Sequence, residues 1–350
     1  MDNRNELLKR IDELTAENEK LLSWQASVNQ LMGKMLDMLK EHQDTIVRVD
    51  NQLNSLTEYS MINRYRINSL PYEMQDPDYQ SFYYKPNILS KDETIRMIVE
   101  EHKSIARLGD GEFAAIVGQK RWNFQGVSDI LASRLREVLN SDDENLLIGL
   151  HPTFYMNLFD VPEDDADSVR AYMQPMVRRL HAELLSPTVI YGDAKFNNIN
   201  SNDDVTKLKR IWNNRPCVFI EGVHTCMGVG NDLFDNCRSI ERILGPAENA
   251  IDKYDEILTE ALKQPKDKLF LIALGPTATV LAYDLCKEGY QAIDLGHADL
   301  AYEAFISSAP NMYSVNIPYK YCSRDERVSG RIIEPADDPE YTEQILRIIQ

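Results

Sequence analysis

The stretch S-I-A-R-L-G-D-G-E-F-A-A-I-V, Ser104 to Val117, decides how this chain folds. An apolar run of strand type breaks at two glycines that bracket a carboxylate, and helix-forming residues follow. Asp110 and Glu112 stand two residues apart in the expected tight turn. In extended or turn backbone such positions project to one side, so both carboxylates can face one hard cation. Gly109 and Gly111 permit φ > 0 or a close backbone approach. A diphosphate then fits between that metal and the amides opening the next helix.

Outward from this stretch, short apolar runs alternate with longer amphipathic ones. The pattern predicts strands at 104–108, 145–150, 188–191, 217–221, 269–274 and 292–295. It predicts helices at 94–102, 128–139, 167–185, 204–212, 251–262, 277–287, 300–307 and 340–349, the first opened by a Ser90/Glu93 capping box. Such alternation reads as an α/β fold, a mostly parallel Rossmann-like sheet with helices on both faces. Ligands in these sheets collect at the carboxyl ends of the strands.

Three further segments place glycine turns at strand ends: Y-G-D (191–193), E-G-V-H-T-C-M-G-V-G-N-D (221–232) and L-G-P-T-A-T (274–279), the last followed by G-Y-Q-A-I-D-L-G-H-A-D-L-A-Y-E (289–303). Thr277 and Thr279 offer hydroxyls beside unpaired helix amides, for a phosphate or sugar or simply as part of a capped crossover helix. Asn231 and Asp232 suit a sugar hydroxyl or a helix cap; G-V-G-N-D lacks the Walker lysine and the dinucleotide fingerprint. His297, Asp299 and Glu303 follow a strand end, and Asp299 and Glu303 share a helical face. One of these carboxylates is a candidate base for an acceptor hydroxyl, against the alternative of solvated surface. His151 and His224 have no partner pattern and read as structural. These parts together point to metal-assisted departure of a nucleoside diphosphate.

Before this domain lies a seven-residue repeat through Leu7, Ile11, Leu14, Asn18, Leu21, Gln25, Val28, Met32, Met35, Leu39, His42, Ile46, Val49, Leu53 and Leu56. Sustained over residues 7–56, it predicts a coiled-coil helix at 1–58, a rod of roughly 75 Å at 1.5 Å per residue. Asn18 at an a position favours a parallel homodimer; the alternative is a helix folded back on its own domain. Residues 59–89 lose periodicity and read as a linker wrapping onto the domain at 90–350.

Fifty-six acidic against thirty-eight basic residues give a net charge of −18, which repels nucleic acid and anionic membrane at long range. The opening residues form no charged-then-apolar leader, and the most apolar stretch, 269–274, is far shorter than the roughly 20 residues a membrane span needs. The expectation is a soluble, cytoplasmic protein with no transmembrane segment. Five cysteines without a C-x-x-C pair read as buried free thiols.

Taken in order, R-L-G-D-G-E (107–112), G-V-G-N-D-L-F-D-N-C-R-S-I-E-R-I-L-G-P-A-E-N-A (228–250) and A-L-G-P-T-A-T-V-L-A-Y-D-L-C-K-E-G-Y-Q-A-I-D-L-G-H-A-D (273–299) resemble the signatures of the GT-D fold glycosyltransferases. The similarity spans about 85–319. It implies a GT-D type domain that transfers a hexose from a nucleotide sugar, typically a UDP-sugar, to a bacterial surface glycan or glycoprotein precursor. It implies Asp110 and Glu112 as the D-x-E pair on Mn²⁺ (or Mg²⁺), and Arg107, Gly109 and Gly111 against the donor diphosphate. Asn231, Asp232, Thr277, His297 and Asp299 would line the donor or acceptor pocket. One departure stands out: Cys226 follows Thr225 where the family pattern has arginine, which weakens a phosphate contact unless Arg324, Arg327 or Arg331 replaces it. The rival expectation is a catalytically weakened coiled-coil protein that scaffolds other glycan-synthesis enzymes.

Overall fold

The computed structural model describes residues 2–75, 86–118, 125–155, 188–309, 312–315, 317–320 and 336–350. The chain divides into two units, residues 1–65 and 66–350. Helix α1, Asp2–Gln75, accounts for the first. Neither glycine nor proline occurs between Gly33 and Pro71, so nothing stops the helix where the linker was expected to begin. Residues 59–75 are therefore helical, and 76–85 lie outside the described residues.

Among the described residues of the second unit nine strands form one sheet: β1 Asn87–Ile88, β2 Ser104–Leu108, β3 Leu146–Leu150, β4 Ile190–Asp193, β5 Pro216–Gly222, β6 Ser239–Gly245, β7 Leu269–Ala273, β8 Gln291–Asp294 and β9 Ile345–Ile348. Their order is β1-β4-β3-β2-β8-β7-β5-β6-β9, and every pairing is parallel. The helices are α2 Lys91–Glu100, α3 Asp110–Ile116, α4 Asp129–Leu139, α5 Asn202–Trp212, α6 Tyr254–Ala261, α7 Pro276–Lys287, α8 Ala298–Ile306 and α9 Pro339–Glu343. The capping box at Ser90 and Glu93 forms as the spacing requires.

Three strands depart from the sequence reading: β1, which lies in the stretch read as linker and pairs with β4, and the two strands β6 and β9. β6 hides its strand character behind Arg242, buried in the sheet and paired with Glu221. The expected helix at 340–349 ends at Glu343, and the β-branched run Ile345–Ile348 joins the edge of the sheet beside β6. The expected helix 167–185 and Arg324, Arg327 and Arg331 fall outside the described residues.

Each face of the sheet buries its own core. On one side Phe113 and Ala114 of α3, Leu131 and Leu135 of α4, Ile257 of α6 and Val280 and Leu281 of α7 pack together. On the other lie Ile95 and Ile98 of α2, Leu208 and Trp212 of α5, and Ala298 and Tyr302 of α8. Neighbouring strands β2 and β8 are thus followed by helices that leave toward opposite faces, which opens a crevice at their carboxyl ends. Cys217, Cys226 and Cys286 are buried free thiols and Cys237 is half-buried. Among the described residues no helix is long and apolar enough to cross a membrane.

Candidate active site

The crevice is lined by the decisive stretch. β2 ends at Leu108, and Gly109 caps α3 with φ −109°, an ordinary extended conformation; Asp110 is already helical. Of the two uses open to Gly109 and Gly111, φ > 0 is not taken at either. In a helix, residues two apart lie about 200° around the axis, so the two carboxylates come together only because the Glu112 side chain folds back over the helix start. Glu112 accepts from the Gly109 N–H at 2.7 Å, while Asp110 Oδ1 accepts from the Gly111 N–H at 3.0 Å.

Arg107 braces the floor of the crevice. Its Nη2 donates to Asp294 Oδ1 at 3.2 Å, and Nη1 donates to the Ala194 carbonyl at 3.1 Å and Asn197 Oδ1 at 3.2 Å. The Arg107 N–H and the Thr279 hydroxyl both lie within hydrogen-bonding reach of Asp294 Oδ2. Thus β2, β8, the loop after β4 and the first turns of α7 are tied at one point. Gly296, with φ +54°, leaves the space: a Cβ there would lie 1.9 Å from Arg107 Nη2.

This crowding has an electrostatic signature. Burial, then the charges of Asp294 and Asp110, push the Glu112 carboxyl up to about 7, partly offset by the Gly109 N–H. Hard carboxylate oxygens that repel one another in this way suit a divalent cation. Among the described residues no group of three or more His, Cys, Asp or Glu is arranged to hold a metal. A cation held at Asp110 and Glu112 would therefore take the rest of its shell from substrate oxygens and water.

His297 stands at the rim, exposed, at the start of α8. Desolvation by the surrounding protein, then the Arg107 charge, push its imidazole pKa down, and Asp110 draws it up. His151, past the end of β3, stacks on Phe154 at 4.1 Å. Burial and the Lys195 and Arg107 charges push it to about 3, so its ring is neutral.

The other expected residues gather elsewhere. Asp299 Oδ1 accepts from the Gly228 N–H at 3.0 Å and Asn231 Nδ2 at 2.8 Å, and Oδ2 accepts from Lys320 Nζ at 2.7 Å. Glu303 Oε1 accepts from Asn231 Nδ2 and from Lys320 Nζ. Lys320 is fully buried; burial would lower its pKa, but Asp299 and Glu303 outweigh it and raise it. Asp299 is therefore a buried ion-pair partner with hydrogen bonds to both oxygens, a setting that favours an anchoring role over the base expected from its spacing. Asp232 is bound to the Tyr302 hydroxyl and Lys209, which hold its carboxyl low. Thr277 is wholly buried, and its hydroxyl has no hydrogen-bond partner among the described residues. Gly228 and Gly230 take φ +80° and +81°, and the Tyr319 hydroxyl sits where a Gly230 Cβ would be. G-V-G-N-D is a loop stapled to α8 and to Tyr319–Lys320.

Of the expected residues, the crevice collects Arg107, Gly109, Asp110, Gly111, Glu112 and His297. Sequence reasoning missed Asp294 and Asn197. Asp294 carried a signal, since it ends the strand of Q-A-I-D-L-G-H; Asn197 carried none.

An open parallel sheet with charged groups converging at such a crevice is the architecture of enzymes that hold nucleotide-type ligands. Comparison with known proteins defines the class further. Residues 105–324 match the family model for glycosyltransferases of the GT-D fold, and the chain belongs to that family. It is 33% identical over 269 residues to a probable glycosyl transferase, Gly, of Streptococcus gordonii, covering 74% of this chain and 38% of that protein. It is 32% identical over 266 residues to glycosyltransferase GlyD of Streptococcus pneumoniae serotype 4, covering 73% of this chain and 31% of that one. The chain thus spans about a third of the length of these relatives. A solved glycosyltransferase from Streptococcus sanguinis superposes with a TM-score of 0.68 at 30% identity, covering 76% of this chain and all of that one. A second structure, of domain of unknown function 1792 with a distinct glycosyltransferase fold, gives 0.68 at 31% identity, over 76% and 96% of the two chains.

Proposed function

We propose that this chain is a metal-dependent glycosyltransferase that moves a hexose from a nucleotide sugar of the UDP type to a bacterial surface glycan or glycoprotein precursor, in the cytoplasm. One observation carries the reading: Asp110, Glu112 and Asp294 lie together at the β2–β8 crevice, where burial first and then the charges of Asp294 and Asp110 push the Glu112 carboxyl up to about 7. Asp110 and Glu112 would hold Mn²⁺ or Mg²⁺, which when bound neutralises charge on a departing diphosphate. Arg107, fixed by Asp294, Asn197 and the Ala194 carbonyl, sets the positive end of the site. His297 at the rim offers a largely neutral ring nitrogen to a sugar hydroxyl. Residues 7–56 of α1 pair two chains in parallel and bring two such domains together.

The test is UDP release from UDP-glucose, UDP-galactose and UDP-N-acetylglucosamine with and without Mn²⁺. Wild type should release UDP from at least one donor in a metal-dependent way. Asp110→Asn should abolish that release while its melting temperature stays within about 2 °C of wild type, since it removes one charge at a helix start. Full activity in this variant would overturn the reading.

A further inference from the structure

We infer that the middle of α1 carries a second apolar surface, formed by Leu22, Trp24, Leu31, Leu36 and Met38, through which two parallel pairs of this chain join as a tetramer. The inference rests on the parallel pairing proposed above. With Asn18 at an a position, the seam residues fall at a and d; Leu22 and Leu36 fall at e, and Trp24, Leu31 and Met38 at g. All five are exposed on the helix, between 54% and 67%.

Their placement is local. Nearer the domain, the e and g positions hold Gln43, Thr45, Asp50 and Gln52, and toward the N-terminus Glu17 occupies g. The apolar stripe is therefore narrow at both ends and wide in between. A seam of a and d alone is the pattern of a two-stranded coil, whereas a stripe extending to e and g belongs to a helix covered on more than one side. Pairing through a and d leaves e and g at the flanks, so each pair would present two apolar strips roughly 25 Å long at 1.5 Å per residue.

Charge identifies the occupant as further copies of this chain. From Leu21 to Leu39 the ionisable residues are Lys34 and Asp37, which cancel, although the whole chain carries −18. Nothing in this segment repels a second copy. In coiled coils charged e and g residues select the partner and reject others. Here those positions hold Leu, Trp and Met, with Asn29 the one polar member between 22 and 38. The surface has no charge code for a different sequence and is complementary to itself.

Sedimentation equilibrium of the full chain at micromolar concentration tests this. The expected result is four chain masses for wild type and two for the triple variant Trp24→Glu, Leu31→Glu, Met38→Glu, with helical circular dichroism unchanged. The control Val47→Glu, which adds charge to an exposed residue outside the patch, should remain at four. Two masses for wild type would overturn the tetramer while leaving the pairing intact and the flank to another protein. One mass would remove the pairing as well, and a triple variant that stays at four would overturn the assigned surface.

Discussion

Replacing Gly296 with alanine perturbs Arg107 without altering it. The new Cβ would lie 1.9 Å from Nη2, so the guanidinium must leave its place against Asp294. The same substitution at Gly289 is the control: its φ is +80°, and a Cβ there meets nothing within 4 Å. Both variants incur left-handed strain of about 1–2 kcal/mol. Gly296→Ala additionally breaks a charge-assisted hydrogen bond, a contribution of about 1.5–3 kcal/mol, and strands a carboxylate that is only 4% exposed. The excess over Gly289→Ala should be about 2–3 kcal/mol, or roughly 4–12 °C in melting temperature for a domain of this size. Calorimetry and urea unfolding measure it. In an Arg107→Met background, where there is no guanidinium to displace, the excess should vanish, as a double-mutant cycle requires. Equal losses in the two single variants, or an excess that survives without Arg107, would refute the claim that Gly296 exists to seat this side chain.

Three further outcomes follow from the site. Lys320→Met leaves Asp299 and Glu303 buried without their cation and should cost about 3–5 kcal/mol in urea unfolding, with partial recovery on adding Asp299→Asn; a loss below about 1 kcal/mol would show the pair to be unimportant. Glu112 ionises near 4.5 when unfolded and near 7 when folded, so the fold binds the extra proton between those values. Its contribution is complete below about pH 4.5 and is lost as pH rises through 7, by at most about 3 kcal/mol. In metal-free buffer Glu112→Gln should flatten the stability profile across that window, and an unchanged slope would contradict the shift. Asp299→Asn should lower stability yet keep transfer by the folded fraction within about tenfold of wild type; a loss of a thousandfold in kcat without loss of stability would restore Asp299 as a base.

The strand–turn–helix at Ser104 to Val117 was legible because each step is local. Five apolar-alternating residues, a glycine break and a helix-forming run specify their own conformations, and β2 spans the residues the pattern marks. What the pattern could not show is the backbone state of D-G-E. Whether two carboxylates separated by one residue share a side depends on whether the turn remains extended or begins the helix. Glu112 at the third helical position favours the helix by capping Gly109. Asp294 and Asn197 were hidden because their roles exist only once β4 and β8 stand on either side of the β3–β2 pair. β6 was hidden by Arg242, whose burial makes sense only opposite Glu221 and between the rings of Phe219 and Tyr341.

Asp299 shows how a local inference that holds in geometry leaves the chemical role to residues far away in sequence. The i, i+4 spacing does put Asp299 and Glu303 on one helical face, and that face does follow a strand end. Whether such a pair serves as base or anchor turns on a cation that sequence spacing cannot place. Lys320 reaches it from a separate loop, and Asn231 bridges both carboxylates from the opposite side. A base must be accessible and free to take a proton; Asp299 is 3% exposed and already accepts from three donors, one of them the Lys320 ammonium. The same arrangement accounts for the glycines of G-V-G-N-D, which let the loop lie close enough for the Gly228 N–H and Asn231 to reach that carboxylate. A motif that resembles a ligand loop in spacing here holds the carboxyl end of β5 to α8, through the Gly228 N–H and the Asn231 side chain.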